Sequence, residues 1–495
     1  MRKTIISIIF ILLCLFLSAE PITLFFTNDT HGAYLPTTYK TKEGSITLGG
    51  YESLNNIITA QRDTLKYSLW LDAGDQQTGS VFSSLIYKNA MGGAVVEAFN
   101  KMGLDAATFG NHEFDQSYNN TLRLARLAKY PIISANLVYK KNGKPISKTP
   151  YKIFKQGKLR IGVIGLTLTE LPEKVKVENV KNLVVQPYKQ AIDKYIDKLD
   201  KKTDLIILLT HNGIDADSLL ATQLDNRIDL IVGGHTHAAT ETPMIVNGIY
   251  IVQAGSHLVY YGRLDLDIVN DRIATLNPDT VCLFPVVQTS STKETEFTDF
   301  FHTITAKIDL DMSRIIGYTD VDWIPDKYKE TAASQWQAQA LYNEYKEKYK
   351  PDMAMINCGG LRKSIPAGEI KVRDLTEMLP FTNYITVFSC YGRDLKAMIE
   401  LNLNLMNTIE HDILQTYNLK WQTKDFLNDN KVWDIEVNNQ PVEDDKIYRI
   451  VSHDYVAGQW DKYLGFKPFD INITNDLIYD AIERQVEKQL GKKKL

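Results

Sequence analysis

The sequence predicts an α/β protein of two domains, and three observations predict it. From residue 20 to about 290, short apolar runs that read as buried parallel strands alternate with runs of helical spacing. Around 285–320 a polar, turn-rich stretch and one amphipathic run mark a change of character, as at a domain boundary. Beyond it lies a second set of strand, glycine-turn and helix patterns that does not resemble the first. A length of 495 residues is long for a single core.

Taken in order, residues 1–19 read as a secretory signal. Arg2 and Lys3 precede the apolar run Ile5–Leu17, and Leu17-Ser18-Ala19 offers a small-residue cleavage site. An uncleaved anchor and a lipid attached at Cys14 are the alternatives. They leave export to the periplasm or medium as the expectation, with tethering as the one membrane association. Residues 20–290 form the first domain. LFFTND (24–29) reads as a strand, GGYESLNNIITAQRD (49–63) as a helix opened by two glycines, and YSLWLDAGD (67–75) as the next strand. A helix from about Gly92 to Met102 has apolar residues at helical spacing. AATFG (106–110), PIISANL (131–137), LRIGVIGL (159–166), LIILLTH (205–211) and IDLIVGGH (228–235) follow as strands. GIYIVQAGS (248–256) and RLDLDIVN (263–270) have the period of a solvated edge or of a second sheet. Residues 291–314 read as a helical connector, and 315–495 as a smaller α/β domain.

Composition narrows the class. Hydrophobic residues are 44% and charged residues 23%, as in folded soluble proteins. A net charge of −4 argues against nucleic acid or an anionic membrane as a charge-driven partner, so an anionic ligand must be drawn by local charge. Past the signal, Cys282, Cys358 and Cys390 are too few and too far apart for a disulfide framework, though one bridge could form.

Polar clusters stand at the ends of the strand runs: Asp29 and His31, Asp75, Asn111 and His112 with Asp115, His211, then His235 and His237. Ligands of open α/β sheets collect beyond the strands' carboxyl ends, so these side chains converge there. Five of the nine histidines fall in these clusters. One such residue alone reads best as a cap or a satisfied core group. The set, with imidazole, carboxylate and amide donors and no thiolate, suits Mn, Zn, Co or Fe. Seven ligands exceed the needs of one catalytic ion and fit two divalent ions with a bridging carboxylate, a device for displacement at phosphorus. Asp75 is the expected bridge, because its Gly-Asp turn lets the backbone approach.

The ordered motifs FTNDTHG, LDAGDQQTGS, TFGNHEFD, SANL and GGHTHA resemble the calcineurin-like metallophosphoesterases, and within them the 5'-nucleotidase branch. The resemblance implies a four-layer αββα sandwich. It implies that Asp29, His31, Asp75 and His237 hold one ion, and Asp75, Asn111, His211 and His235 the other. His112 and Asp115 match the family's catalytic dyad. The second domain resembles the 5'-nucleotidase C-terminal domain through Asn357–Arg362, Gly368–Ile370, Leu379–Asn383 and Tyr455–Gly458 with Asp461. By that resemblance Phe381 and Tyr455 sandwich a base, Asp461 accepts from the ribose, and Asn357 and Arg362 face the phosphate. Gln459-Trp460 stands where the family has two glycines, and Lys327 before Glu330 where it has an arginine.

The activity implied is hydrolysis of nucleoside 5'-monophosphates to nucleoside and phosphate. A 2',3'-cyclic nucleotide phosphodiesterase or a nucleotide-sugar pyrophosphatase would use the same first domain. An inactive nucleotide-binding surface protein is the reading from another class, but no expected ligand is missing.

Overall fold

The computed structural model describes residues 20–41, 44–147, 149–274, 276–277, 279–289, 294–408, 412–424 and 431–491. The signal-like segment with Cys14, His411 and the lysine-rich tail therefore lie outside the described residues.

The first domain is built on two six-stranded sheets. One runs in the order Leu283–Pro285, Tyr260–Ile268, Glu20–Thr27, Ser68–Asp72, Ala106–Thr108, Ile132–Ile133. The other runs Tyr151–Gln156, Leu159–Thr167, Leu205–His211, Leu230–Val232, Ile249–Val252, Met244–Val246. Strand alternation sorts the side chains into layers. Leu24, Phe26, Leu69 and Leu71 meet Ile161, Val163, Ile207 and Leu209 in the core between the sheets. Phe25 and Trp70 point the other way, onto the helices Tyr51–Arg62 and Gly93–Met102. Ile206, Leu208 and Ile231 pack against the helices Tyr188–Asp200 and Ile214–Ala221. The result is four layers, helix–sheet–sheet–helix. Both late strands of ambiguous period joined sheets. Ile249–Val252 pairs in parallel with Leu230–Val232, and Tyr260–Ile268 runs antiparallel to Glu20–Thr27.

The connector helix, Glu296–Met312, is capped by Thr295, whose side chain accepts from the Thr298 N–H. It is not a free linker. Phe297, Phe301, Ile304 and Ile308 bury into the first domain's outer helical layer, so the helix completes that layer.

The second domain has a five-stranded sheet, Leu414–Tyr417, Met353–Asn357, Ile447–His453, Tyr384–Tyr391, Phe469–Leu477. Helices Ala332–Tyr345 and Ile478–Leu490 cover one face and helix Gly392–Thr408 the other. Cys282, Cys358 and Cys390 are buried free thiols, so none forms the bridge their number allowed.

The two sheets of the first domain touch near their carboxyl ends, where the Ala135 N–H donates to the Gly165 carbonyl at 2.8 Å. A Cβ at Gly165 would lie 2.0 Å from the Ile133 carbonyl oxygen, so only glycine permits this approach. Gly165→Ala is expected to lower the first domain's unfolding free energy by about 1–3 kcal/mol, read from urea denaturation at unchanged m value.

Candidate active site

Strand ends deliver the site. Asp29 follows Glu20–Thr27, Asp75 follows Ser68–Asp72, Asn111 follows Ala106–Thr108, His211 closes Leu205–His211, and His235 follows Leu230–Val232. Five of the seven candidate ligands sit on left-handed backbone: Asp29 (φ 48°), His31 (49°), Asp75 (54°), His235 (85°) and His237 (57°). Residues with a Cβ adopt that region at a cost, and they hold it where surrounding structure imposes it. Here the loops are knitted together. The Asp29 N–H donates to the Gly74 carbonyl at 2.9 Å and the His31 N–H to the Asp75 carbonyl at 3.0 Å. A Cβ on Gly110 would fall 2.2 Å from Asp75 Oδ1, so the Gly-Asn-His turn closes onto Asp75 only because that residue is glycine.

The free atoms face one another. In each of two groups, Asp29–His31–His237 and Asp75–His211–His235, one ligand atom per residue lies within 4.8 Å of the others. His31 Nε2 is 3.0 Å from His237 Nε2. His31 Nδ1 donates to the Thr78 carbonyl at 2.9 Å and His211 Nδ1 to the Ala73 carbonyl at 2.7 Å, which turns each Nε2 inward. Asp29 Oδ2 accepts from Asn28 at 2.6 Å and from the His235 N–H at 2.8 Å, while Oδ1 has no partner. Asn111 Oδ1 is likewise buried without a hydrogen-bond partner, and His211 Nε2 stands 3.1 Å from Asp75 Oδ2. Burial pushes Asp29 up to about 6 and His235 and His237 down to about 4. Burial would lower His211 as well, but the charges of Asp75 and Asp29 hold it up at about 10, so a cation there would take the place of a proton. Nitrogens and oxygens turned toward shared points make the seven residues candidate ligands.

His112 is also within reach of His31 and Asp75. What separates it is Asp115, whose Oδ2 lies 2.5 Å from His112 Nδ1. Burial alone would lower this imidazole, but the charges of Asp115 and Asp75 outweigh it and hold His112 up at about 9. It is therefore a cation with Nε2–H 3.9 Å from Asp75 Oδ2, unsuited to ligation and suited to meeting negative charge.

Sequence reasoning overlooked Glu113. This buried carboxylate accepts backbone N–H groups of Gly110 (2.7 Å), Gln76 (2.8 Å), Asp75 (3.1 Å) and Gln77 (3.3 Å). It fastens the Asp75 turn to the Asn111 turn. Its place inside Gly-Asn-His-Glu was the available signal. His257, given no chemistry from sequence, stands at the site's edge, its ring 5.0 Å from His31 and its N–H donating to the Asp29 carbonyl at 2.8 Å.

The dyad opens into a cavity of about 360 Å³ between the domains. Asn111, His112 and Asp115 line one side, and Asn357, Arg362, Phe381 and Tyr455 the other, with Lys327 among them. Arg362 lies 5.5 Å over the Phe381 ring. One expectation needs correction. Asp461 does not line the cavity: on the short helix Trp460–Tyr463 it faces solvent and caps the Lys462 N–H at 3.0 Å, while Lys462 and Tyr463 turn inward. The carboxylate in the wall is Asp412. It accepts from Asn357 Nδ2 and Gly359 N–H, both at 2.8 Å, and from Tyr463 at 2.7 Å. Asn357 lines the cavity as expected, with one N–H of its amide given to Asp412 and its Oδ1 buried without a partner. Asp412 lay in no periodic or motif context that would have revealed it.

Residues 22–239 match the calcineurin-like phosphoesterase family, and residues 284–468 match the 5'-nucleotidase C-terminal domain. The chain belongs to the 5'-nucleotidase family. It is 27% identical to a 5'-nucleotidase of Vibrio parahaemolyticus, over 89% of this chain and 84% of that one. Its fold is similar to a solved 5'-nucleotidase precursor from Thermus thermophilus, with 21% identity, TM-score 0.74, and coverage of 95% and 96%. An NAD nucleotidase from Haemophilus influenzae aligns with TM-score 0.58 at 21% identity over 95% and 97%. Family membership makes this chain a metal-dependent phosphoester hydrolase. Among the described residues no helix is long and apolar enough to cross a membrane.

Glu113→Gln puts an amide NH2 against backbone N–H donors. Titration calorimetry with Mn2+ should show roughly 10–100-fold weaker binding than wild type.

Proposed function

We propose that the protein hydrolyses nucleoside 5'-monophosphates to nucleoside and phosphate at a centre for two divalent ions. The observation that carries this reading is the cavity, which joins a cluster of unpartnered metal-type ligands to a pair of aromatic rings. Asp29, His31 and His237 would hold one ion, Asn111, His211 and His235 the other, with Asp75 shared. Bound there, Mn, Zn, Co or Fe would supply Lewis-acid charge at phosphorus and acidify a water.

The chain's own residues do the rest. His112, held protonated by Asp115, donates to the phosphoryl oxygens as their charge builds. Phe381 and Tyr455 take the base between them. Asn357 and Arg362 face the phosphate from the cavity wall, where Arg362 supplies positive charge between ring and metals. The Arg362 charge adds to burial in lowering the His257 pKa. The signal-like residues 1–19 support export, with the nucleotide met outside the cytoplasm.

A second reading keeps the same centre but takes a diester or a diphosphate. Lys327 in the cavity wall favours it, since it offers charge beyond what one phosphate needs, whereas Lys462 is paired with Asp412 at 3.6 Å.

Treatment with a chelator should abolish phosphate release from AMP, and Mn, Co or Zn should restore it. Full activity in the metal-free protein would rule the mechanism out. Phe381→Ala should raise KM for AMP by roughly 5–100-fold, the worth of one stacked base. A kcat/KM for NAD, UDP-glucose or cyclic CMP far above that for AMP would establish the second reading instead.

A further inference from the structure

We propose that Lys176 is a positioning residue, tying the ring-bearing edge of the second domain to the dyad-bearing edge of the first. Its ammonium lies 2.6 Å from Asp454 Oδ2, donates to the Thr382 carbonyl at 2.5 Å, and sits 5.0 Å from the Tyr384 ring centroid. Both oxygen partners are placed tellingly. Asp454 immediately precedes Tyr455, and Thr382 immediately follows Phe381. One cation from the first domain thus anchors the chain beside each ring.

The other end of the connection reaches the dyad. Lys176 precedes the short helix Val177–Val180, whose Asn179 donates to the Phe114 carbonyl at 2.7 Å and to the Asp115 carbonyl at 3.0 Å. The Thr382 hydroxyl adds a bond to Gln116 Oε1 at 2.7 Å, one residue beyond Asp115. The Tyr384 N–H holds Asp454 Oδ1 at 3.1 Å, which fixes the carboxylate for the lysine. The pair is shielded, with side chains 24% and 11% exposed, so salt screens it less than a surface pair. Lys176 touches neither ring nor dyad by these bonds. It sets the distance between them, and small errors in such a distance are costly to rate.

This inference rests on the nucleotide reading above, and its test separates the two. Lys176→Met keeps the stem and removes the charge; Asp454→Asn removes it from the other side. Phosphate release is compared for AMP and for p-nitrophenyl phosphate, which has no ribose or base to seat. Each variant should lose roughly tenfold or more in kcat/KM for AMP, as for a broken shielded charge pair, and distinctly less for p-nitrophenyl phosphate. The double variant should fall no further than either single one. Equal losses on both substrates, no loss on AMP, or additive losses in the double variant would overturn the proposal. A wild-type protein that releases no phosphate from AMP would instead overturn the nucleotide reading. Should Lys176→Met fail to fold, Asp454→Asn carries the same comparison.

Discussion

The structure depends on a set of groups that repel one another unless positive charge lies between them. His31 Nε2 and His237 Nε2 stand 3.0 Å apart, and Asp29 Oδ1 stands 3.6 Å from His237 Nε2 without a hydrogen-bond partner. Side chains left to themselves would turn away toward water. Backbone holds them in: left-handed conformations at five ligands, loop-to-loop hydrogen bonds, and four N–H groups converging on Glu113. This is preorganisation, with the cost of gathering the ligands met by folding and not at the moment of ion binding. It also explains why the ligands stand on strand ends. A strand buried between two apolar layers cannot shift register without exposing its core face, so the loop that follows begins from a fixed point.

The second domain meets that rigid centre with a different kind of wall. Its contribution is one strand end, one loop and the short helix Asp454–Gly458, carrying Asn357, Phe381 and Tyr455 in turn, and Asp412 organises the strand end by accepting from Asn357, Gly359 and Tyr463. Nothing here resembles the buried ligand cluster: the rings are half-buried and the wall is rich in lysine. The site is incomplete in either domain alone. Its chemistry belongs to the first, its selectivity to the second, and the contacts between them, Lys176 to Asp454 above all, fix how the two are aligned.

Much of this was legible in the sequence, for reasons that differ by element. The first-domain strands showed because continuous apolar runs buried on both faces leave a strong pattern, and the ligands showed because each is displayed at the end of such a run. The connector helix Glu296–Met312 showed as a helix, but its packing did not, because Phe297, Phe301, Ile304 and Ile308 say that it buries a face without saying against what. Asp461 was misplaced for a local reason: a four-residue helix turns neighbours in opposite directions, and a motif match cannot tell which one faces the cavity. Asp412 and Lys176 were invisible because their roles come from tertiary contacts, at sequence separations of 55 for Asp412 to Asn357 and 206 for Lys176 to Thr382.

His112 shows how the site assigns roles that proximity alone leaves open. It stands among the ligands, its ring 5.0 Å from that of His31, and by distance to Asp75 it could serve as one of them. Asp115 decides otherwise. A carboxylate on Nδ1 keeps the ring charged, and a charged imidazole has no lone pair for a cation. His31, whose Nδ1 meets a neutral carbonyl and whose burial holds its pKa well below the usual value, keeps its own. Between these two neighbours the partner on the far nitrogen makes the difference. Thr78 tightens the distinction, since its hydroxyl donates to Asp115 Oδ2 at 2.7 Å while its carbonyl receives His31. One residue thereby fixes both the ligand and the acid, which is why the two imidazoles can lie side by side without exchanging functions.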